Sequence, residues 1–283
     1  MSTPERIVVV STNAQYAAPA AVSVRSAITD ASEGVSVVIL YFGSESEIEF
    51  QMLRDSFRAD DVFLDLLPQN LFARWPSRRY FGNDAVYARL ALGRLIDSSI
   101  NRVVYLDADT LVFSDISALW TRPLEGAAFG AVREMNGPTM SHRGGLRNWE
   151  EAGVPSDAPY CNSGVLALDL DVWRTEDLES RCFAFLERFG ESVRFPDQDA
   201  LNATLWDRWV EFDQAYNVSG FWDAPKFPVT DYGYGDVLGR MRLFHFQGPT
   251  KPWHDDYPVF SRKCKWEQVL ATTAWGDSNA KRY

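Results

Sequence analysis

Three continuous apolar runs, each ending abruptly in polar residues, constrain this chain more than any other feature. They are Ile7-Val8-Val9-Val10, Val35-Ser36-Val37-Val38-Ile39-Leu40-Tyr41 and Val103-Val104-Tyr105-Leu106. β-branched residues are frequent in them and apolar residues do not alternate with polar ones, which is the pattern of strands buried on both faces. Helical patterns lie between them. One carries Val22, Ser26 and Ile28 and runs to about residue 30, a charged amphipathic one covers 45–57, and one at 83–96 has Val86, Leu90 and Leu95 on one side. Strands alternating with helices imply right-handed βαβ units on a parallel sheet. In such sheets ligands sit beyond the carboxyl ends of the strands.

Weaker signals complete the order. Further strands are expected at 62–64, 127–132, 160–170 and 241–246, and helices at 171–178 and 197–206. Beyond about residue 213 the chain turns irregular and rich in Pro, Gly and Tyr. The expectation is one α/β domain over 1–283, with a Rossmann-like, mostly parallel central sheet and flanking helices. Its nucleotide-binding core would span about 1–212 and an irregular C-terminal lobe about 213–283. A length of 283 residues suits a single large α/β domain.

Charge narrows the ligands. With 28 basic and 39 acidic residues the net charge is −11, which argues against nucleic acid or an anionic membrane surface as partner. An acidic protein that binds an anionic nucleotide must neutralise it locally, and a divalent cation is the usual means. Cys161, Cys182 and Cys264 have no regular spacing and fit reduced thiols. The N-terminus lacks signal-peptide character, and no apolar run approaches the roughly 20 residues of a membrane span. The tail at 271–283 is short and nearly neutral. A cytoplasmic, freely soluble protein is expected. In that setting the sequons at Asn202-Ala203-Thr204 and Asn217-Val218-Ser219 are chance matches.

Asp107-Ala108-Asp109 carries the most chemistry. Two carboxylates flank a small residue at the end of a buried strand, where i and i+2 can face one ligand. Such hard donors suit Mg²⁺ or Mn²⁺ on a diphosphate; the plain alternative is a strand-end turn, which Asp favours. An EF-hand loop is excluded because Val112 stands where that loop needs Gly. His245 ends an apolar strand ahead of Gly248, Lys251, Pro252 and Trp253. It is either a satisfied core residue or a third ligand that shifts preference toward Mn²⁺. Lys251 is either a surface lysine or a contact for phosphate oxygens. Asn162, Ser163 and Gly164 put small polar residues into a buried strand, as a bulge or as a backbone surface open to a ligand. Asp197 and Asp199 open a helix, where acids are ordinary, but Gln198 between them has no capping role.

Taken in chain order, six segments resemble a known family. They are Ser11 to Tyr16, Tyr87-Ala88-Arg89-Leu90, Val104-Tyr105-Leu106-Asp107-Ala108-Asp109, Asn162-Ser163-Gly164-Val165, Asp197-Gln198-Asp199 and His245-Phe246-Gln247-Gly248-Pro249-Thr250-Lys251-Pro252-Trp253. The chain resembles the retaining glycosyltransferases of the GT-A fold in glycosyltransferase family eight, which includes lipopolysaccharide galactosyl- and glucosyltransferases and glycogenin. The resemblance runs from Val8 to Trp253. It implies Mn²⁺ (or Mg²⁺) on Asp107, Asp109 and His245, and a diphosphate on Gly248 and Lys251. Ser11, Asn13 and Tyr16 would contact the base, with Tyr16 stacking on it, and Thr12 and Ala108 belong to the same donor-binding set. Arg89, Asn162, Ser163, Asp197 and Gln198 would surround the donor sugar, with Asp197 and Gln198 as catalytic residues and Gln198 on the reactive face of the anomeric carbon.

The chain departs from the family at Asn13, where an acid is usual. An Asp can only accept from the uracil N3–H, whereas an Asn both accepts and donates. The resemblance would put Glu134, in Arg133-Glu134, in the place of the acid that lies near the sugar in relatives. The implied activity is retaining transfer of a hexose, glucose or galactose, from a UDP-sugar to an acceptor hydroxyl on a carbohydrate or small molecule. Two other classes remain open on the residues alone. Nucleotidyl transfer usually uses a Gly-rich basic loop after the first strand, and Ser11-Thr12-Asn13-Ala14-Gln15-Tyr16 has neither Gly nor Lys. A non-catalytic sugar-nucleotide-binding protein would not need an intact metal set together with Gln198.

Overall fold

The computed structural model describes residues 6–31, 34–72, 84–220, 234–258 and 261–276. Among them ten strands follow in chain order: β1 (Ile7–Thr12), β2 (Ser36–Phe42), β3 (Val62–Leu67), β4 (Arg102–Leu106), β5 (Thr110–Val112), β6 (Phe129–Arg133), β7 (Cys161–Asp169), β8 (Trp209–Phe212), β9 (Val218–Ser219) and β10 (Leu243–His245). The α-helices are α1 (Ala17–Asp30), α2 (Ile48–Ser56), α3 (Leu92–Leu95), α4 (Ala118–Thr121), α5 (Leu170–Thr175), α6 (Leu178–Phe189), α7 (Pro196–Thr204), α8 (Tyr234–Gly239) and α9 (Ser261–Leu270). They fall into two compact units. The first comprises 1–66, 106–118 and 213–283, and the second 67–105 and 119–212.

In the first unit β3, β2 and β1 are neighbours in that order, and β1 runs parallel to β2 from Ile7 opposite Ser36 to Thr12 opposite Tyr41. Every residue of β1 is buried, which is why its sequence shows no alternation. α1 is rich in Ala and buried from Ala17 through Val24, and its short side chains let it pack closely on β5. Its two inward hydroxyls are satisfied: Ser23 Oγ bonds Thr110 Oγ1 (2.7 Å), and Ser26 Oγ accepts from the Val112 N–H (3.0 Å). A second sheet has the order β5-β10-β9, with β10 antiparallel to β5 and parallel to β9. Leu111, Val218, Phe244, Phe246, Tyr257 and Trp266 form its core, each such apolar side chain contributing roughly 1.5–3 kcal/mol by leaving water.

In the second unit the strand order is β4-β7-β6-β8, with β6 antiparallel to β7 and parallel to β8. The β6–β7 ladder breaks at one place. Ala131 pairs with Leu166, yet the next residue, Val132, pairs with Asn162. Ser163, Gly164 and Val165 therefore bulge out of the ladder, and a bulge re-aims side chains that regular pleating would bury. α7 packs on β7 and on α6, and α6 buries Leu178, Cys182, Phe183, Phe185 and Leu186 on one face.

Several expectations are corrected. The helix expected at 83–96 is two pieces: a 3₁₀ helix, Asp84–Leu90, and then α3. Residue 83 lies outside the described residues. Within the 3₁₀ segment Arg89 turns inward and donates from Nε to the Val86 carbonyl three residues back (3.1 Å). The segment is buried at six of its seven residues, so packing and not helical propensity sets its form. The C-terminal lobe is not irregular throughout, since it contains α9, whose Trp266 and Val269 are buried. Residues 221–233 of that lobe and 277–283 of the tail lie outside the described residues. Among the described residues no helix is long and apolar enough to cross a membrane.

Candidate active site

The first cluster of polar groups lies in the first unit. Asp107 follows the last residue of β4, and the turn to β5 is fixed by Thr110, whose N–H (3.2 Å) and Oγ1 (2.8 Å) both donate to the Asp107 carbonyl. The antiparallel pairing of β10 with β5 puts His245 opposite Thr110. Its Nε2 lies 3.1 Å from Asp109 Oδ1 and 3.6 Å from Asp107 Oδ2, and one ligand atom from each of the three residues lies within 4.8 Å of the others. Asn217 Oδ1 stands 3.1 Å from His245 Nδ1. An outer partner of this kind is common behind metal-bound imidazoles, where it fixes the ring orientation. Two hard oxygens with one imidazole nitrogen fit a divalent cation of the Mg²⁺ or Mn²⁺ type.

Lys251 is not a surface lysine. It is buried, and its Nζ donates to the Asp109 carboxylate and to the Phe246 carbonyl (2.7 Å). Burial pushes the Asp109 carboxyl up, but the Lys251 ammonium and His245 outweigh burial and hold it well below the usual carboxylate range. Gly248 lies between His245 and Lys251 at φ +98°, backbone that favours glycine. At the end of β1, Asn13 caps the 3₁₀ turn Ala14–Tyr16 through Oδ1, which accepts from the Tyr16 N–H (3.2 Å). The Tyr16 ring meets Trp253 edge-on, with centroids 5.8 Å apart. Thr12 is fully buried and donates to the Asn13 carbonyl (3.3 Å).

The second cluster lies in the second unit, where the β7 bulge meets the first turn of α7. Arg89, only 4% exposed, places Nε 3.1 Å from Asp197 Oδ2 and donates to the Ser163 carbonyl (2.7 Å) and Ser163 Oγ (3.0 Å). Its guanidinium lies over the Tyr105 ring at 4.6 Å. Ser163 Oγ donates to Asp197 Oδ2 (2.8 Å). Gln198 Oε1 accepts from the Ser163 N–H (3.0 Å) and from Asn162 Nδ2 (3.1 Å), and Asn162 Nδ2 also donates to Glu134 Oε2 (2.8 Å). Asp199 has other hydrogen-bond partners. It accepts from the Tyr160 hydroxyl and from the N–H groups of Arg194 (2.7 Å) and Phe195 (3.1 Å), tying the first turn of α7 to the chain just ahead of it. Burial, aided by the Asp197 charge, pushes its pKa up to about 6 against these hydrogen bonds.

The sequence-predicted residues thus divide between the two units. Asp107, Ala108, Asp109, His245, Gly248, Lys251, Ser11, Thr12, Asn13 and Tyr16 belong to the first unit, and Arg89, Asn162, Ser163, Asp197 and Gln198 to the second. Sequence reasoning missed Asn217 behind His245. Its signal was present but carried another meaning, as the acceptor residue of a sequon. Asn217 and Asn202 are both buried and hydrogen-bonded, which leaves neither side chain open for a glycan. Cys161, Cys182 and Cys264 are free thiols. Burial pushes the first two up, so neither is a nucleophile in this state.

The family model for glycosyl transferase family 8 matches residues 7–257. The chain belongs to that family. Among its relatives, general stress protein A of Bacillus subtilis (strain 168) is 30% identical over 200 residues, 65% of this chain and 67% of that protein. Lipopolysaccharide 1,2-glucosyltransferase of Escherichia coli (strain K12) is 27% identical over 198 residues, 70% of this chain and 57% of the relative. The match thus spans little more than half the length of the second. The crystal structure of the galactosyltransferase LgtC in complex with donor and acceptor sugar analogues superposes with a TM-score of 0.78 at 23% identity, covering 94% of this chain and 96% of that one. The shared architecture is the α/β GT-A fold with a mostly parallel central sheet, as expected from the sequence.

Proposed function

We propose that this family 8 glycosyltransferase moves a hexose from UDP to an acceptor hydroxyl, with retention, and that it depends on Mn²⁺. The Asp107–Asp109–His245 cluster carries this proposal. When bound there, the cation supplies Lewis-acid stabilisation of the charge growing on the leaving diphosphate. Lys251, held beside Asp109, adds a fixed positive charge for the same oxygens. Asp197, fixed by Arg89 and Ser163, holds sugar hydroxyls, and Asn162 and Glu134 complete that side. Relatives named for glucosyl and galactosyl transfer onto lipopolysaccharide support a hexose donor. The chain would work as one domain over 1–283, in the cytoplasm, on a carbohydrate or small-molecule acceptor.

Retention requires either a covalent intermediate or attack from the leaving-group face. Gln198 is an amide, a poor nucleophile, and its Oε1 already accepts from Ser163 and Asn162, which withdraws electron density further. Same-face attack assisted by the leaving phosphate follows. The test is a hydrolysis screen of nucleotide sugars with Mn²⁺, followed by proton NMR of the anomeric product. UDP release and an α product from an α-linked donor are expected. Pyrophosphate release would establish nucleotidyl transfer, and a β product would end the retaining assignment.

The base is expected to be uracil. Asn13 Oδ1 is engaged as the cap of the Ala14–Tyr16 turn. An Asp would keep that cap with one oxygen and offer the other to the uracil N3–H. Asn13→Asp should therefore hold or tighten UDP binding. Calorimetry with UDP, dTDP, GDP and ADP in Mn²⁺ checks both points, and tightest binding of a purine diphosphate would refute the uracil assignment.

A further inference from the structure

One side chain ties the start of β7 to α7. Asn202 is fully buried. Its Oδ1 accepts from the Cys161 N–H (2.7 Å), and its Nδ2 donates to the Cys161 carbonyl (2.8 Å) and to the Gln198 carbonyl (2.9 Å). The Tyr160 carbonyl accepts from the Glu134 N–H on the β6 side (2.8 Å). Backbone groups alternate along a strand, so those of Cys161 point to the other edge of β7. There the Asn202 carboxamide replaces the peptide group of a neighbouring strand, satisfying both buried backbone groups of one residue. It does so directly before the bulge at Ser163, Gly164 and Val165, and the same Nδ2 fixes Gln198 one helical turn earlier.

We infer that Asn202 is a positioning residue for the donor-sugar cluster. It sets the register between the β7 bulge, which carries Asn162 and Ser163, and the first turn of α7, which carries Asp197 and Gln198. Those four residues meet through hydrogen bonds of 2.8–3.1 Å, and a small slip of α7 along β7 would part them. The inference rests on the glycosyl-transfer function proposed above for that cluster.

The test compares Asn202→Ala, and the milder Asn202→Ser, with Leu201→Ala, which empties a buried apolar position one residue away. Amide hydrogen exchange is followed at Ser163, whose N–H donates to Gln198 Oε1. Exchange there should accelerate in both Asn202 variants and stay near wild type in Leu201→Ala, even where thermal stability falls equally. In nucleotide-sugar hydrolysis the Asn202 variants should lose about 10–100-fold in kcat, the range for residues that orient a functional group. UDP affinity should stay within about twofold. Unchanged Ser163 exchange in the Asn202 variants, or equal acceleration in Leu201→Ala, overturns the inference. Exchange is read without turnover. A wild-type protein that hydrolyses no nucleotide sugar therefore refutes the functional proposal separately.

Discussion

Asp109→Ala should abolish nucleotide-sugar hydrolysis and Mn²⁺ binding together. The Asp109 carboxylate has two close side-chain partners among the described residues: Oδ1 lies 3.1 Å from His245 Nε2, and the carboxylate also receives Lys251 Nζ. Its removal deletes a proposed cation ligand and separates the imidazole from the ammonium that it joins. A Lewis acid contributes several kcal/mol to a transition state of this kind, so the loss in kcat/KM is expected to be at least about 10³-fold. The fold should persist, because Lys251 keeps the Phe246 carbonyl and His245 keeps Asn217. Some stability will be lost, since taking one partner from a buried ion pair typically costs about 3–5 kcal/mol. Titration calorimetry with Mn²⁺ alone, beside a thermal melt, separates the two effects. A folded Asp109→Ala protein that still binds Mn²⁺ and hydrolyses donor normally would reduce the acidic pair to a strand-end turn.

Elements buried on both faces were the legible part of this fold. β1 is buried throughout, β4 from Val103 onward and β2 from Ile39 onward with only Ser36 and Val38 partly exposed before it, which gives their continuous apolar runs, and their positions follow within a residue or two. The segment at 84–90 was not legible, because its form depends on an inward-turned arginine and on burial nearly all round. The candidate site shows the same division. Asp107, Asp109, His245, Asp197 and Gln198 stand in recognisable local strings. The groups that orient them come from far along the chain: Asn217 is 28 residues from His245, and Arg89 is 74 from Ser163. Local spacing contains no record of such partners. Asn162-Ser163-Gly164 was readable as a bulge or as a ligand surface, and the structure makes the bulge the device that presents Asn162 and Ser163 to Asp197 and Gln198.

Asp197→Ala should damage hydrolysis more than Gln198→Ala, for a reason visible in the partners of each. Gln198 is a neutral acceptor for Ser163 and Asn162. Its removal deletes one dipole at the proposed reactive face, a loss on the order of 10–10³-fold. Asp197 is the counter-ion of the buried Arg89 and the acceptor for Ser163 Oγ. Without it the guanidinium retains Val86, Ser163 and the Tyr105 ring but loses the Asp197 carboxylate. One negative charge is then missing where an electron-deficient sugar carbon must develop in the proposed reaction. The two penalties act in the same direction, and the expected loss exceeds about 10³-fold. The buried pair also contributes to the fold, and about 3 kcal/mol from losing one partner would lower Tm by roughly 6–12 °C in a protein of this size. Asp197→Asn separates the two effects. It keeps the shape and an acceptor for Ser163 Oγ, so it should melt nearer to wild type while remaining strongly impaired. UDP binding should be preserved in both variants, because the groups assigned to the nucleotide lie in the other cluster. An Asp197→Asn protein within tenfold of wild-type hydrolysis would leave the carboxylate a purely structural partner of Arg89 and would remove it from the proposed mechanism.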